Sequence, residues 1–171
     1  MGNEENNSSS HMEMRKSRPS LDEYFAEMTK VVASRSTCII PGRQYGAIVV
    51  KNKQVISTGY NGAPRGMKDC LELGYCPKRA KGGESGKMME ECIAVHAEMN
   101  ALLQAGRQAE GATLYVNGFP CKLCARMIIN AGIKRVVVCG TYSDREGLDL
   151  LKEAGIQIDY IGVDDKKKEG K

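Results

Sequence analysis

From Ala97 to Ile161, segments with helical spacing take turns with short apolar segments, and this alternation restricts the fold more than any other feature of the chain. Ala97 to Ala109 reads as a helix, Thr113 to Asn117 as a strand, and Cys121 to Ala131 as a helix with Gly132 as its stop signal. Val136-Val137-Val138-Cys139 is a wholly apolar strand, the kind expected inside a sheet covered on both faces. Glu146 to Ala154 is a helix closed by Gly155, and Ile156 to Ile161 is a last strand. Helix and strand in turn imply parallel pairing with right-handed crossovers. Upstream, Leu21, Tyr24, Phe25, Met28, Val31 and Val32 recur at helical spacing, and Ser20 with Glu23 makes a capping box for a helix ending near Ser36. Tyr45 to Val50 and Gln54 to Ser57 read as a hairpin turned at Lys51-Asn52-Lys53. The sum is an α/β fold, a three-layer α/β/α sandwich around a mixed five-stranded sheet, with no internal repeat.

At 171 residues the chain is expected to form one domain over 14–163, long enough to bury a core. Residues 1–13 are polar and of low complexity, as in a disordered tail. Ser10-His11-Met12 resembles an expression scar, which would start natural numbering at Met12 or Met14 and leave His96 as the histidine that matters. Residues 164–171 read as a charged, solvated tail. No apolar run approaches the roughly 20 residues of a membrane helix, and no secretory signal is visible, so the expected location is cytoplasmic. The net charge of +4 is too mild for a nucleic-acid groove, and no nucleic-acid partner is expected.

Seven cysteines are many for a chain in a reducing compartment, where density favours metal ligands or catalysis over disulfides. Three of them, Cys70, Cys76 and Cys92, fall in a long segment, 59–92, dominated by Gly, Pro, Lys and Cys. An irregular stretch of that length inside a compact domain usually serves function. Cys139, within an apolar strand, reads as core.

Two short motifs carry the chemistry: His96-Ala97-Glu98 and Pro120-Cys121-Lys122-Leu123-Cys124. Two cysteines three apart at a helix start lie on one face and share a metal, and the positive helix end favours their thiolates. Pro120 costs no helical hydrogen bond there. His96 supplies a third ligand, and three protein ligands leave one zinc position open, the catalytic rather than the structural pattern. Zinc lowers the pKa of water in that position to about 7. Glu98, two residues past His96, is placed to shuttle protons without binding metal. The combined pattern is that of zinc-dependent nucleobase deaminases.

With these motifs, the chain resembles the deoxycytidylate (dCMP) deaminase family of the cytidine-deaminase-like superfamily. The resemblance runs from Arg18 to Ile161 and includes Arg35-Ser36-Thr37-Cys38, Gly46-Ala47-Ile48-Val49-Val50, Gly59-Tyr60-Asn61-Gly62-Ala63-Pro64-Arg65-Gly66 and Cys92-Ile93-Ala94-Val95-His96-Ala97-Glu98. It departs from the family at Tyr45, often Val, and in the run Val116-Asn117-Gly118-Phe119. The resemblance implies conversion of dCMP and water to dUMP and ammonia, supplying thymidylate synthesis, with Glu98 protonating N3 of the base and helping the amine leave. It implies a nucleotide site around Asn61, Gly62 and Ala97. Arg43 or Arg65 suits the phosphate, and both equally suit a solvated surface. It further implies an effector site near Ala63 to Gly66, dCTP as activator and dTTP as inhibitor, Mg2+ on the triphosphate, and a homo-oligomer, hexameric in many members. Some members hold a second, structural zinc; here Cys38, Cys70, Cys76 and Cys92 are its candidate ligands, against simple buried thiols.

Other readings are a deaminase of tRNA adenosine, guanine, cytidine or the riboflavin-pathway pyrimidine, a non-catalytic nucleotide-binding protein of the same fold, and a zinc-stabilised interaction domain. The intact set of His96, Glu98, Cys121 and Cys124 favours the enzyme.

Overall fold

The computed structural model describes residues 17–84, 87–140 and 145–162. The tails expected at 1–13 and 164–171 lie outside the described residues. Helix α1 spans Leu21–Ala33 and opens with the expected capping box: Glu23 N–H donates to Ser20 Oγ at 3.2 Å, and Ser20 N–H to Glu23 Oε2 at 2.7 Å. Strands β1 (Gly46–Lys51) and β2 (Gln54–Tyr60) form an antiparallel hairpin. Its two-residue turn has positive φ at both Asn52 and Lys53, the turn whose twist matches that of the strands.

The segment expected to be irregular contains two single-turn helices, α2 (Cys70–Leu73) and α3 (Pro77–Ala80), and a 3-10 turn over Met89–Glu91. There follow α4 (Ala97–Ala105), β3 (Thr113–Val116), α5 (Lys122–Asn130), β4 (Arg135–Val138), α6 (Glu146–Glu153) and β5 (Gln157–Tyr160). The helix expected over 97–109 is α4 and a separate 3-10 turn, because Gly106 leaves helical space with φ 52° and ψ −133°.

The sheet order is β2-β1-β3-β4-β5, with β1 antiparallel to β2 and β3, and β3, β4 and β5 mutually parallel. It is the mixed five-stranded sheet expected from the periodicity. Alternate residues of its strands feed two cores, as the two-residue period of a strand requires. Ile48, Val50, Tyr115 and Val137 meet Phe25 of α1 on one face. Ala47, Val49, Leu114, Val116, Val136 and Val138 meet α4, α5 and α6 on the other. Two glycines let helices touch the hairpin. A Cβ on Gly46 would lie 2.2 Å from Thr29 O in α1, and one on Gly59 would lie 2.3 Å from Ala97 O in α4. Strand β2 runs to Tyr60, three residues beyond the expected end at Ser57, with Gly59 leaving room for α4. Among the described residues no helix is long and apolar enough to cross a membrane.

Candidate active site

The first turns of α4 and α5 bring the two motifs together. His96 is the N-cap of α4, with extended backbone (φ −68°, ψ 156°). Its approach is fixed by hydrogen bonds between Gly62 and Val95 (3.2 and 2.8 Å), which tie together the ends of the 61–95 segment. Asn100 Nδ2 adds a bond to Tyr60 O at 2.8 Å, anchoring α4 to the end of β2. Cys121 is the N-cap of α5, and the N–H of Cys124 points at Cys121 Sγ from 3.5 Å. A thiolate as cap acceptor uses the unbonded N–H groups and positive end of the helix. Pro120, fully buried, precedes the cap, where its missing N–H removes no helical bond.

His96 Nδ1 lies 3.6 Å from Cys121 Sγ and 3.4 Å from Cys124 Sγ, and all three ligand atoms fall within 4.8 Å of one another. Tetrahedral zinc with ordinary Zn–N and Zn–S bonds separates such N and S ligands by roughly 3.5 Å. The donor set and its spacing therefore fit zinc. A hydrogen bond from Cys124, with help from His96, holds the Cys121 thiol down to about 4. Cys124 is held far above the usual thiol range as donor to that sulfur and by burial. The hydrogen bond with Cys121 raises the pKa of His96 against its burial.

Glu98 is the second residue of α4, 5% exposed, and its carboxyl lies beside Cys124. Burial raises its pKa, only partly opposed by His96. A buried carboxyl with a raised pKa, next to a metal cradle but outside the ligand set, is suited to carrying a proton.

These groups open into a cleft of about 120 Å³. Of the residues expected at a nucleotide site, Asn61, Ala97 and Arg43 line it, and Gly62 and Arg65 do not. Arg65 is exposed, and Gly62 is spent on the bridge to Val95. The Asn61 amide is committed to backbone: Oδ1 accepts from Tyr45 N–H, and Nδ2 donates to Arg43 O, both at 2.8 Å. Asn61 thus shapes the 43–45 wall. Sequence reasoning did not single out Lys78 or Met89, which also line the cleft, as does Phe119 of the run that departs from the family. The departures from the family pattern at Tyr45 and Gly118 are one feature. The Tyr45 ring lies where a side chain at 118 would go, since a Cβ there would be 2.7 Å from Tyr45 Cε1.

Cys38, Cys70, Cys76 and Cys92 approach from separate turns. Burial raises the pKa of Cys38 and takes Cys70 to about 11, and the neighbouring thiols add to both shifts. Among the described residues, however, only His96, Cys121 and Cys124 gather their ligand atoms to metal-binding distance. Cys139 is half-buried against the α1 layer.

The sequence profile of the cytidine and deoxycytidylate deaminase zinc-binding region matches residues 19–140. The chain is 44% identical to the deoxycytidylate deaminase of Schizosaccharomyces pombe over 144 residues, 82% of this chain and 44% of that protein, so it spans less than half of that relative's length. It is 45% identical to the deoxycytidylate deaminase of Mycobacterium phage D29 over 127 residues, 71% of this chain and 95% of the phage protein. The crystal structure of the dCMP deaminase from cyanophage S-TIM5, in complex with dCMP and dUMP, superposes with a TM-score of 0.68 at 27% identity, covering 85% of this chain and 99% of the other. With a His/Cys/Cys cradle on two helix N-termini, the matching sheet and these relatives, the chain belongs to the cytidine and deoxycytidylate deaminase zinc-binding family.

Proposed function

We propose that the protein is a zinc-dependent hydrolase that converts dCMP and water to dUMP and ammonia, through one deaminase domain over 14–163. The observation that carries the reading is the buried Glu98 beside a three-ligand cradle of His96, Cys121 and Cys124. Zinc held by these ligands would supply an acidified water as the nucleophile for C4 of the cytosine. His96, Cys121 and Cys124 hold the metal. Glu98 takes a proton from the attacking water and delivers it to N3 of the base, then moves the remaining hydroxyl proton to the amine, which leaves as ammonia as the C4 carbonyl forms. Burial favours the protonated form of its carboxyl. Ala97, first residue of α4 and part of the cleft wall, has an N–H without a partner inside the helix, suited to an acceptor on the base. Arg43 serves the polar end of the nucleotide. The relatives named deoxycytidylate deaminase, and the S-TIM5 protein solved with dCMP and dUMP, support a cytosine mononucleotide as substrate.

On the family resemblance, the proposal extends to dCTP activation and dTTP inhibition, Mg2+ on the triphosphate, and a hexameric homo-oligomer. Arg65, exposed and away from the cleft, suits the effector better than the substrate. The proposal also extends to a second, structural zinc among Cys38, Cys70, Cys76 and Cys92, supported by their mutual approach; two zinc ions per chain by elemental analysis is the expected result, and one would refute it. The enzyme is tested by ammonia release from dCMP, deoxycytidine, dCTP and guanine, each with and without dCTP or dTTP. Selective turnover of dCMP is expected. Zinc-loaded protein that turns over no cytosine nucleotide would overturn the reading.

A further inference from the structure

The two ligand-bearing helices begin differently. On α5 the ligand caps its own helix: Cys121 Sγ accepts from the N–H of Cys124 at 3.5 Å. That bond fixes the sulfur on the first turn. On α4 the residue in the same place is His96, whose ring makes no capping bond, its Nδ1 being turned to the two sulfurs. A helix start without a side-chain cap frays readily, and a frayed first turn carries His96 away from the cysteines. The hold on His96 therefore comes from its surroundings.

Asn100 supplies that hold. It lies four residues past His96, one turn along the same face of α4, where a side chain leans back over the helix start. Its Nδ2 donates to two carbonyls, Tyr60 O at 2.8 Å and Val95 O at 3.4 Å. Val95 immediately precedes His96, and Tyr60 ends β2 just before Asn61 of the cleft wall. Val95 O also accepts from Gly62 N–H at 3.2 Å, so both of its lone pairs are used. The Gly62–Val95 bridge fixes the chain before His96, and Asn100 ties that bridge to the helix after it. The approach to the metal ligand, the cleft wall and the edge strand of the sheet thus meet on one amide. Ser57 gives the comparison. Its buried hydroxyl donates to Ala101 O at 2.7 Å, a second tether between β2 and α4 that goes to neither Tyr60 nor Val95.

We propose that Asn100 is the positioning residue of the metal cradle: by clamping the carbonyls of Tyr60 and Val95 it sets His96 for the metal shared with Cys121 and Cys124. The proposal rests on the zinc reading of the cradle and is independent of which base is deaminated. Asn100 does for His96 from outside what the Cys121 sulfur does for itself on α5.

The test is zinc competition against a chelator of known affinity, read on the imidazole NMR signals of His96, one of two histidines in the chain. That readout follows the His96 site alone, whatever metal the outlying thiols take up. Wild type is compared with Asn100→Ala, with Asn100→Leu, which keeps the bulk and loses the donor, and with Ser57→Ala. Both Asn100 variants should bind zinc about 10- to 100-fold more weakly, the range for groups that orient a metal ligand, and should shift the Nδ1 resonance of the zinc-bound ring. Ser57→Ala should lower Tm and leave zinc affinity and the Nδ1 resonance as in wild type. Asn100→Leu carries the comparison if Asn100→Ala does not fold. Unchanged zinc affinity in a folded Asn100 variant, or an equal loss in Ser57→Ala, would overturn the proposal. Wild type that takes up no zinc at His96 would sink the cradle and the proposal together. The expected loss of affinity, with no turnover of any cytosine nucleotide by zinc-loaded wild type, would sink the deaminase reading and leave the role of Asn100 standing.

Discussion

The two faces of the sheet use polar groups in opposite ways, half-buried on one and buried on the other. On the α1 face, Arg135 of β4 is fully engaged. Its Nη1 and Nη2 grip both oxygens of Asp22 at 2.8 and 2.7 Å, and its Nε meets Asp159 of β5 at 2.5 Å. Tyr115 of β3 donates to Asp22 Oδ1 at 2.5 Å. This network ties the first turn of α1 to three adjacent strands, with one guanidinium shared between two carboxylates. On the α4–α5 face, Glu98 and Lys78 are buried and neither is ion-paired among the described residues, and the thiols share their protons unequally. The same residue types give rigidity where they are satisfied and reactivity where they wait for a metal or substrate.

Breaking each side should therefore cost different things, and the largest effect is expected at the cleft. Glu98→Gln keeps the shape and removes the proposed proton carrier. It should lower kcat by about 10²- to 10⁴-fold, with zinc content and Tm at or above wild type, because a desolvated carboxyl is replaced by a neutral amide. Loss of zinc or fold in that variant would show that Glu98 is structural. Arg135→Met is the counterpart on the other face. It strands two carboxylates and should cost about 2 kcal/mol in urea unfolding, a figure kept low because Arg135 and its partners are 24 to 36% exposed, while activity of the folded fraction stays as in wild type. Reduced kcat without reduced stability would mean the two faces are coupled. Tyr115→Phe removes one hydrogen bond from the network and should cost about 1 kcal/mol in the same assay.

The smallest effect is a pH dependence confined to the network. The hydrogen bond from Arg135 is the largest influence holding Asp22 at about 2, below its ordinary 3.8. A carboxylate depressed in the folded state contributes stability that is fully present above its ordinary value and lost as pH falls toward the folded one. Stability measured between pH 4 and pH 2 should decline more steeply in wild type than in Asp22→Asn. Parallel curves would remove Asp22 from the account of acid sensitivity.

Much of this was legible in the chain, and what was missed follows a pattern. The strands of the C-terminal half, the hairpin and the capping box at Ser20 are local patterns, and local patterns survive in the folded protein. The metal cradle was legible because its ligands are of rare type and sit at helix starts, where one turn fixes their spacing. Strand β2 runs further than expected because Gly59 reads as a loop signal, yet it is glycine since α4 crosses it closely. Lys78 escaped notice because in sequence it is one lysine in a basic, glycine-containing stretch, indistinguishable from Lys81 and Lys87.

By itself, then, the sequence determined the layering, the strand directions and the candidate metal-binding and proton-carrying side chains, since period, caps and ligand chemistry act over a few residues. Which of several equivalent cations is buried, that Asn61 spends its amide on the 43–45 backbone, that Tyr45 fills the space over Gly118, and that the four outlying thiols approach without closing were decided by the tertiary structure alone. Those are matters of distance between segments far apart in the chain, and burial and electrostatic environment exist only once the segments have met.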